Sequence, residues 1–122
     1  MKTPIIALNM KTYPQSCGEA GLSLAKLCQE VAEQTGATIA VAPQQTDLAL
    51  FTKELKIPVF AQHVDNVKQG STTGRVTPEN LWSIGCTGTL INHSEHRISA
   101  EDVRLLVQKC KNLGLVTIVC TK

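Results

Sequence analysis

Two clusters of polar side chains in this sequence each follow an apolar run. Asn9, Met10 and Lys11 come at the end of the run that begins at Ile5, and the stretch Asn92–Arg97, NHSEHR, comes directly after another run. Amide, ammonium, imidazole and carboxylate groups are the side chains that bind substrates and move protons in active sites. In parallel α/β proteins, ligands bind at the C-terminal ends of the strands. If both runs are strands, the two clusters therefore lie on the functional face.

The elements that would position these clusters are five short apolar runs rich in valine, isoleucine and leucine. The runs do not alternate with polar residues, which is typical of parallel strands buried on both faces. The expected strands are Ile5–Asn9, Thr38–Ala42, Pro58–Gln62, Gly88–Asn92 and Val116–Cys120. Each stretch between them is long enough to hold a crossover helix. The alternation predicts an α/β fold with a parallel sheet, either doubly wound or closed into a barrel.

Helix signals occupy the stretches between these strands. The first helix is predicted from apolar residues at helical spacing, with Gly36 as its stop: Leu24, Ala25, Cys28, Val31 and Ala32. A second, shorter helix is expected over Thr46–Leu55. Thr77 followed by Pro78 predicts a third, because threonine is a good cap and proline suits the first helical position.

The fourth helix has the clearest boundaries in the sequence. Ser99–Asp102 resembles a capping box, with aspartate in place of the usual glutamate or glutamine. One apolar face follows, formed by Val103, Leu106, Val107, Cys110 and Leu113. Gly114 then predicts the end of the helix.

Composition excludes several classes of function. A net charge of +2, from 12 basic and 10 acidic side chains, is too small to indicate nucleic acid or an anionic membrane as a partner. The five cysteines form no CxxC pair and have no metal-like spacing, which favours a reducing cytosol: Cys17, Cys28, Cys86, Cys110 and Cys120. The apolar run near the start is too short for a signal sequence or a membrane span. We expect a cytoplasmic protein without metal or cofactor.

From the residues alone, each candidate also has a purely structural interpretation. His93 can cap or pack at a strand end, and Lys11 can be a solvated side chain at a turn. Asn9 can bond the local backbone, and Glu95 can be a first-turn carboxylate that the helix dipole favours.

Six segments, in register over residues 4–122, resemble the triosephosphate isomerase family. LNMKTY is similar to the asparagine-x-lysine motif of that family's first strand, and NHSEHR is similar to its fourth-strand motif. The other four resemble the second strand, the third strand, the third loop and the fifth strand: VAPQQTDL, FAQHVD, GSTTGRVTPEN and TIVCTK. The sequence variants in these motifs resemble those of archaeal members of the family. The resemblance implies a (β/α)8 TIM barrel, of which residues 1–122 would be the N-terminal half of a single domain, about four and a half βα units.

The resemblance also implies a reaction and its residues. In that family, dihydroxyacetone phosphate and glyceraldehyde 3-phosphate interconvert through an enediolate. His93 matches the neutral histidine that polarises the carbonyl, and backbone N–H groups of a helical turn over Ser94–Arg97 would keep it neutral. Lys11 matches the lysine near the phosphate and the developing oxyanion, and Asn9 matches the asparagine that binds a substrate oxygen.

Other positions are expected to support this site. Glu95 would pair with Lys11 to fix the ammonium, and Ser94 would cap the turn that holds His93. Thr73 would be the tip of a loop that contacts a neighbouring subunit in a dimer or tetramer. We assign no role to His96, and expect Arg97 to form a surface ion pair.

His63 and Asp65 invite a metal interpretation. Because partner ligands are missing from the sequence, loop structure is the better one.

The family's catalytic glutamate and phosphate loops should follow later strands, beyond residue 122. We therefore expect this chain to have no catalytic activity on its own. The alternative is a non-catalytic half-barrel that self-associates or complements a separate C-terminal half. A doubly wound nucleotide-binding domain fits the strand pattern, but no glycine-rich phosphate motif follows the first strand.

Overall fold

A computed structural model describes residues 1–121 of the chain. Five strands alternate with four α-helices, in the order β1, α1, β2, α2, β3, α3, β4, α4, β5. The strands are Ile5–Asn9 (β1), Thr38–Ala42 (β2), Phe60–Ala61 (β3), Gly88–Ile91 (β4) and Val116–Val119 (β5). The helices are Gly18–Thr35 (α1), Leu48–Glu54 (α2), Pro78–Ser83 (α3) and Ala100–Leu113 (α4). Every predicted strand and helix is present, which confirms the α/β prediction.

The strands pair in the order in which they occur along the chain. β1 pairs with β2, and β4 pairs with both β3 and β5, all in parallel. A single bridge between Val41 and Val59 joins the two groups. The described order is therefore 1-2-3-4-5, whereas a doubly wound sheet reverses its winding direction at a switch point. This order is that of a βα barrel.

Two strand predictions need correction. β3 has only two ladder residues, Phe60 and Ala61, and Val59 makes an isolated bridge to Val41. β1 and β5 are not buried on both faces. Ile6 is 60% exposed and Val119 is 39% exposed, because each of these strands has a partner on only one side within residues 1–121.

The apolar core lies on both faces of the central strands. The larger cluster packs the helices onto the sheet and includes Leu22, Phe51, Leu81 and Leu106. A smaller cluster on the other face includes Ala40, Phe60 and Leu90. Both clusters include residues of the central strands, so the core packs on both faces of the middle of the sheet.

The predicted caps of α3 and α4 are confirmed. The Thr77 hydroxyl accepts a hydrogen bond from the Asn80 N–H at 3.2 Å, and the Ser99 hydroxyl accepts one from the Asp102 N–H at 3.1 Å. Gly114 ends α4 in the left-handed region, with a φ of 86°.

The predicted apolar face of α1 is wrong in part. Leu22 and Ala25 are buried, whereas Leu24, Leu27 and Val31 are exposed. Helical spacing shows that residues share a face, but not whether the rest of the fold covers it. Among the described residues, no helix combines the length and apolar composition needed to cross a membrane.

Candidate active site

Asn9 and Lys11 lie at the C-terminal end of β1. The Asn9 Oδ1 atom accepts a hydrogen bond from the Lys11 backbone N–H at 3.0 Å. Lys11 has a φ of 55°, which is uncommon for a residue with a side chain. The Asn9 side chain therefore stabilises an unfavourable backbone conformation of Lys11, at the point where the chain leaves β1.

Gln62 also supports Lys11, and the sequence analysis did not single it out. Its side-chain N–H group donates to the Lys11 carbonyl at 2.8 Å and to the Ala42 carbonyl at 2.9 Å. These bonds join the ends of β1 and β2 to the residue that follows β3. The sequence feature that could have indicated Gln62 is a polar side chain at the end of an apolar run, as at Asn9.

The ammonium of Lys11 reaches Glu95 across the ends of the strands. The Lys11 Nζ atom lies 2.6 Å from Glu95 Oε1. The hydrogen bond to Glu95 raises the pKa of Lys11, and the same bond, together with the charge of Lys11, lowers the pKa of Glu95. The Lys11–Glu95 pair expected from the sequence is therefore present, with both groups charged at neutral pH.

His93 lies in a tight turn after β4. The Glu95 backbone N–H donates to His93 Nδ1 at 3.0 Å, and the His96 N–H donates to the His93 carbonyl at 2.8 Å. Acceptance of this bond favours the tautomer that has its proton on Nε2, and the same Nδ1 atom lies 3.6 Å from Glu95 Oε1. The segment is a single hydrogen-bonded turn, not the helical turn expected over Ser94–Arg97, and α4 begins only at Ala100.

Asn92 shapes the same turn and was not predicted to do so. Its φ is 65°, its Oδ1 accepts from the Ile98 N–H at 3.0 Å, and its amide donates to the Cys120 carbonyl at 3.2 Å. Arg97 donates to the Asn92 carbonyl at 2.9 Å and makes no ion pair among residues 1–121. Within residues 1–121, Arg97 thus bonds backbone carbonyls instead of forming the expected surface ion pair.

Ser94 and Thr73 lie outside the cluster formed by Asn9, Lys11, His93 and Glu95. Ser94 is exposed, and no hydrogen bond to its side chain is found in the described part of the chain. The turn is closed by the His96 N–H instead. Thr73 is exposed in the loop between β3 and α3, at a turn with Gly74.

His63 and Asp65 organise the loop after β3. His63 Nε2 lies 2.8 Å from Asp65 Oδ1, and Asp65 Oδ2 accepts from the Val76 N–H at 2.8 Å. Within residues 1–121, no group of three or more histidine, cysteine, aspartate or glutamate side chains is arranged to hold a metal. The bonds that Asp65 makes are those of a residue that closes a loop.

These elements enclose a cavity of about 510 Å³ at the C-terminal ends of the strands. Its lining includes Asn9, Lys11, His93, Glu95, Gln62, His63 and His96. The volume lies within the range of small-molecule sites, roughly 300–1,000 Å³. The cavity is therefore large enough for a small polar ligand between the Lys11 ammonium and the His93 imidazole.

Comparison with known proteins agrees with this geometry. The sequence model of the family described as triosephosphate isomerase matches residues 4–122. The triosephosphate isomerase of Methanocaldococcus jannaschii is 50% identical over 96% of this chain and 53% of its own length. That of Methanobacterium bryantii is 47% identical over 98% of this chain and 53% of its own length. Both organisms are archaea, as expected from the sequence variants.

The fold has a match among solved structures. The crystal structure of triosephosphate isomerase from Bartonella henselae superposes with a TM-score of 0.81 at 23% identity, over 97% of this chain and 51% of that one. This likeness shows the fold and confirms the TIM-barrel prediction. The chain spans about half the length of the curated relatives that it matches. With the match of the family model over residues 4–122, these findings establish that the chain belongs to the triosephosphate isomerase family.

Proposed function

We propose that residues 1–122 form the N-terminal half of a single TIM-barrel domain and supply part of a triosephosphate isomerase active site. The reaction is the interconversion of dihydroxyacetone phosphate and glyceraldehyde 3-phosphate through an enediolate. The observation that carries the proposal is the cavity that brings Lys11 and His93 together at the strand ends. An ammonium and a neutral N–H donor are suited to a phosphorylated substrate whose carbonyl oxygen becomes negative.

Each side chain has a separate part in this proposal. The Nε2–H of His93 donates to the carbonyl oxygen, because Nδ1 is occupied by the Glu95 N–H. Lys11 attracts the phosphate and stabilises negative charge in the transition state. Asn9 binds a substrate oxygen and holds the backbone of Lys11, while Glu95 fixes the ammonium. Neither a metal nor an organic cofactor is required for proton transfer of this kind.

Glu95 is unsuited to act as the proton-transferring base. Its pKa is lowered by the hydrogen bond from Lys11, whereas a good general base has a pKa near the working pH. We infer that the base is a carboxylate outside residues 1–122. The phosphate-binding N–H groups that the family places after its last two strands would then come from the same segment.

The proposal extends to partners and location. Thr73 lies in an exposed loop whose tip could contact a second copy in a complete dimer or tetramer. Five free cysteines are compatible with a reducing cytoplasm.

The test is an isomerase assay on glyceraldehyde 3-phosphate, with product detected by a coupled dehydrogenase. The 122-residue chain is assayed alone and after mixing with the C-terminal half of an archaeal relative. We expect activity only in the mixture. His93→Gln should lower kcat in the mixture by about 10²–10⁴-fold, the usual range for a proton-transfer group. The matched control is Glu101→Gln, which removes an exposed carboxylate on α4 and should leave kcat unchanged.

The exposed edges favour a second candidate, a non-catalytic half-barrel that self-associates. β1 and β5 expose apolar side chains, including Ile6 and Val119, and open strand edges promote pairing between chains. Sedimentation velocity distinguishes the two. A fixed dimer of the 13.2 kDa chain with no activity in either assay would favour this candidate. Activity in the mixture would favour the isomerase.

A further inference from the structure

Asn92 is the first residue after β4 and directly precedes His93. Its φ is 65°, in the left-handed region, which asparagine adopts more readily than most residues that have a side chain. The chain therefore leaves the extended conformation of β4 at this residue. The direction in which the backbone continues to His93 depends on the conformation of Asn92.

The side chain of Asn92 makes two hydrogen bonds. Its Oδ1 atom accepts from the Ile98 N–H at 3.0 Å and so closes the segment 92–98 into a turn. Ile98 packs against the larger apolar cluster, which anchors the far end of the turn to the core. The Asn92 amide donates to the Cys120 carbonyl at 3.2 Å. Cys120 follows β5 and donates its own N–H to the Ile91 carbonyl at 2.8 Å, so the second bond ties the turn to the sheet.

Two other side chains link the turn to its surroundings. Arg97 donates to the Asn92 carbonyl at 2.9 Å and to the Cys120 carbonyl at 3.4 Å, and Glu95 pairs with Lys11. Arg97 is exposed, and the Glu95 side chain is 65% exposed. Contacts of exposed charged groups contribute little, because solvent competes for them. The two bonds of the partly buried Asn92 side chain are therefore the links that solvent weakens least.

The position of His93 follows from the backbone of this turn. The Glu95 N–H donates to His93 Nδ1 at 3.0 Å, and the His96 N–H donates to the His93 carbonyl at 2.8 Å. Both donors are backbone groups of the segment that Asn92 closes. A reacting group must be held within about 0.5 Å of its productive position. A looser turn would therefore leave the imidazole present but poorly oriented.

We propose that Asn92 is a positioning residue for His93. Its side chain closes the turn 92–98 and ties it to the end of β5, which keeps the Glu95 N–H on Nδ1 and leaves Nε2 for the substrate. The inference deepens the proposed function, and only its effect on catalysis rests on that function.

Three variants separate the side chain of Asn92 from its backbone conformation. Asn92→Gly removes both side-chain bonds, while glycine adopts a φ of 65° without strain. Asn92→Asp keeps the acceptor for the Ile98 N–H but loses the donor to the Cys120 carbonyl. The control is Asn112→Ala, which removes an exposed amide on α4 that accepts only from the Gln108 side chain.

Nitrogen NMR of the His93 ring in the 122-residue chain tests the inference without substrate. At about pH 8 a histidine of ordinary pKa is neutral, and His93→Gln identifies the signals. We expect two well-separated ring signals in the wild type, from one protonated and one accepting nitrogen. In Asn92→Gly they should converge, because the ring samples both tautomers, and in Asn92→Asp they should converge in part. Asn112→Ala should match the wild type.

Hydrogen exchange of the same samples reports the turn itself. The protection of the Ile98 amide should fall about tenfold in Asn92→Gly, as expected for the loss of one hydrogen bond, and should be largely kept in Asn92→Asp. The Val41 amide, bonded to the Pro58 carbonyl, shows whether each variant is folded. If Asn92→Gly does not fold, Asn92→Asp alone decides. Wild-type ring signals in either folded variant, or the same change in Asn112→Ala, would overturn the inference.

The isomerase assay of the mixed halves adds a separate result. Asn92→Gly should lower kcat by about 10-fold to 10²-fold with little change in KM, because a misplaced His93 fails to stabilise charge in the transition state. In the His93→Gln background the same substitution should have no further effect. A change in KM alone, or an additive effect in that background, would contradict positioning through His93. An inactive wild-type mixture would count against the proposed function and leave the NMR result standing.

Discussion

The ammonium nitrogen of Lys11 lies 2.6 Å from a carboxylate oxygen of Glu95, 84 residues later in the chain. The two residues follow β1 and β4, which are separated by β2 and β3 in the sheet. In a flat sheet, strands three places apart would be about 14 Å from each other. The contact joins the ends of strands that are not neighbours, as is expected where a sheet curves like the wall of a barrel.

Glu95→Gln should remove a pH-dependent contribution to the free energy of unfolding. The pKa of Glu95 is lowered by Lys11, so its contribution is present above the unfolded pKa of about 4.3 and is lost as the pH falls. The pKa of Lys11 is raised, so its contribution is present below about 10.4 and is lost at higher pH. Urea unfolding at several pH values should show the largest difference from wild type near neutral pH.

The control for this substitution is Glu33→Gln, which removes an exposed carboxylate of α1 that forms no ion pair within residues 1–121. It should change the free energy of unfolding by less than about 0.5 kcal/mol at any of these pH values. If Glu95→Gln alters unfolding equally at pH 3 and pH 7, the ion pair does not contribute as proposed.

Gln62→Leu should destabilise the chain by about 2 kcal/mol. Leucine has a similar size but cannot donate to the Lys11 carbonyl, and an unsatisfied partly buried group costs about 1–3 kcal/mol. The Ala42 carbonyl would keep its bond from the Met10 N–H. Gln69→Leu is the matched control, because Gln69 bonds only the exposed Asn80 side chain and should cost less than about 0.5 kcal/mol. Chemical denaturation measures both, and equal effects would contradict a special role for Gln62.

Gly88→Ala should be among the most damaging small substitutions in the sheet. A β-carbon at this position would lie 2.1 Å from the Val116 carbonyl oxygen and 2.7 Å from the Phe60 ring. Overpacking of a core typically costs about 1–3 kcal/mol, and a clash with strand backbone should reach or exceed the upper value. Gly74→Ala meets nothing within 4 Å, so only its positive φ of 81° opposes the change, at about 1–2 kcal/mol. Thermal unfolding that ranks Gly74→Ala as the worse variant would argue against this strand pairing.

Cys86 and Cys110 should resist thiol reagents in the folded chain. Burial raises the pKa of each thiol to about 11, so only about one molecule in a thousand is a reactive thiolate at pH 8. Cys17 and Cys120 are partly exposed and should react before Cys86 and Cys110. Mass spectrometry after brief alkylation should find Cys86 and Cys110 unmodified without denaturant and modified with it. Early modification of either residue would mean that the core opens readily.

The sequence by itself determined the order of the elements and the residues of the candidate site. Apolar runs and caps such as Ser99 act through local geometry, so the order of strands and helices followed from periodicity and turn chemistry. The motif residues Asn9, Lys11, His93 and Glu95 could be named because they lie at or just after the ends of apolar runs and match motifs of the triosephosphate isomerase family. The exposure of Leu24 and Val31 could not be predicted, because spacing along a helix does not reveal what covers it.

Only the tertiary structure decided which residues meet. The bonds from Gln62 to the Lys11 and Ala42 carbonyls, and the stack of His63 on His96, join residues far apart in sequence. No local pattern encodes these contacts, because they depend on the sequential strand order and on the curvature that brings strand ends together. The contact of His93 Nδ1 with the Glu95 backbone N–H likewise depends on the turn after β4. The sequence thus specified the chemical groups, and the curved sheet specified their distances.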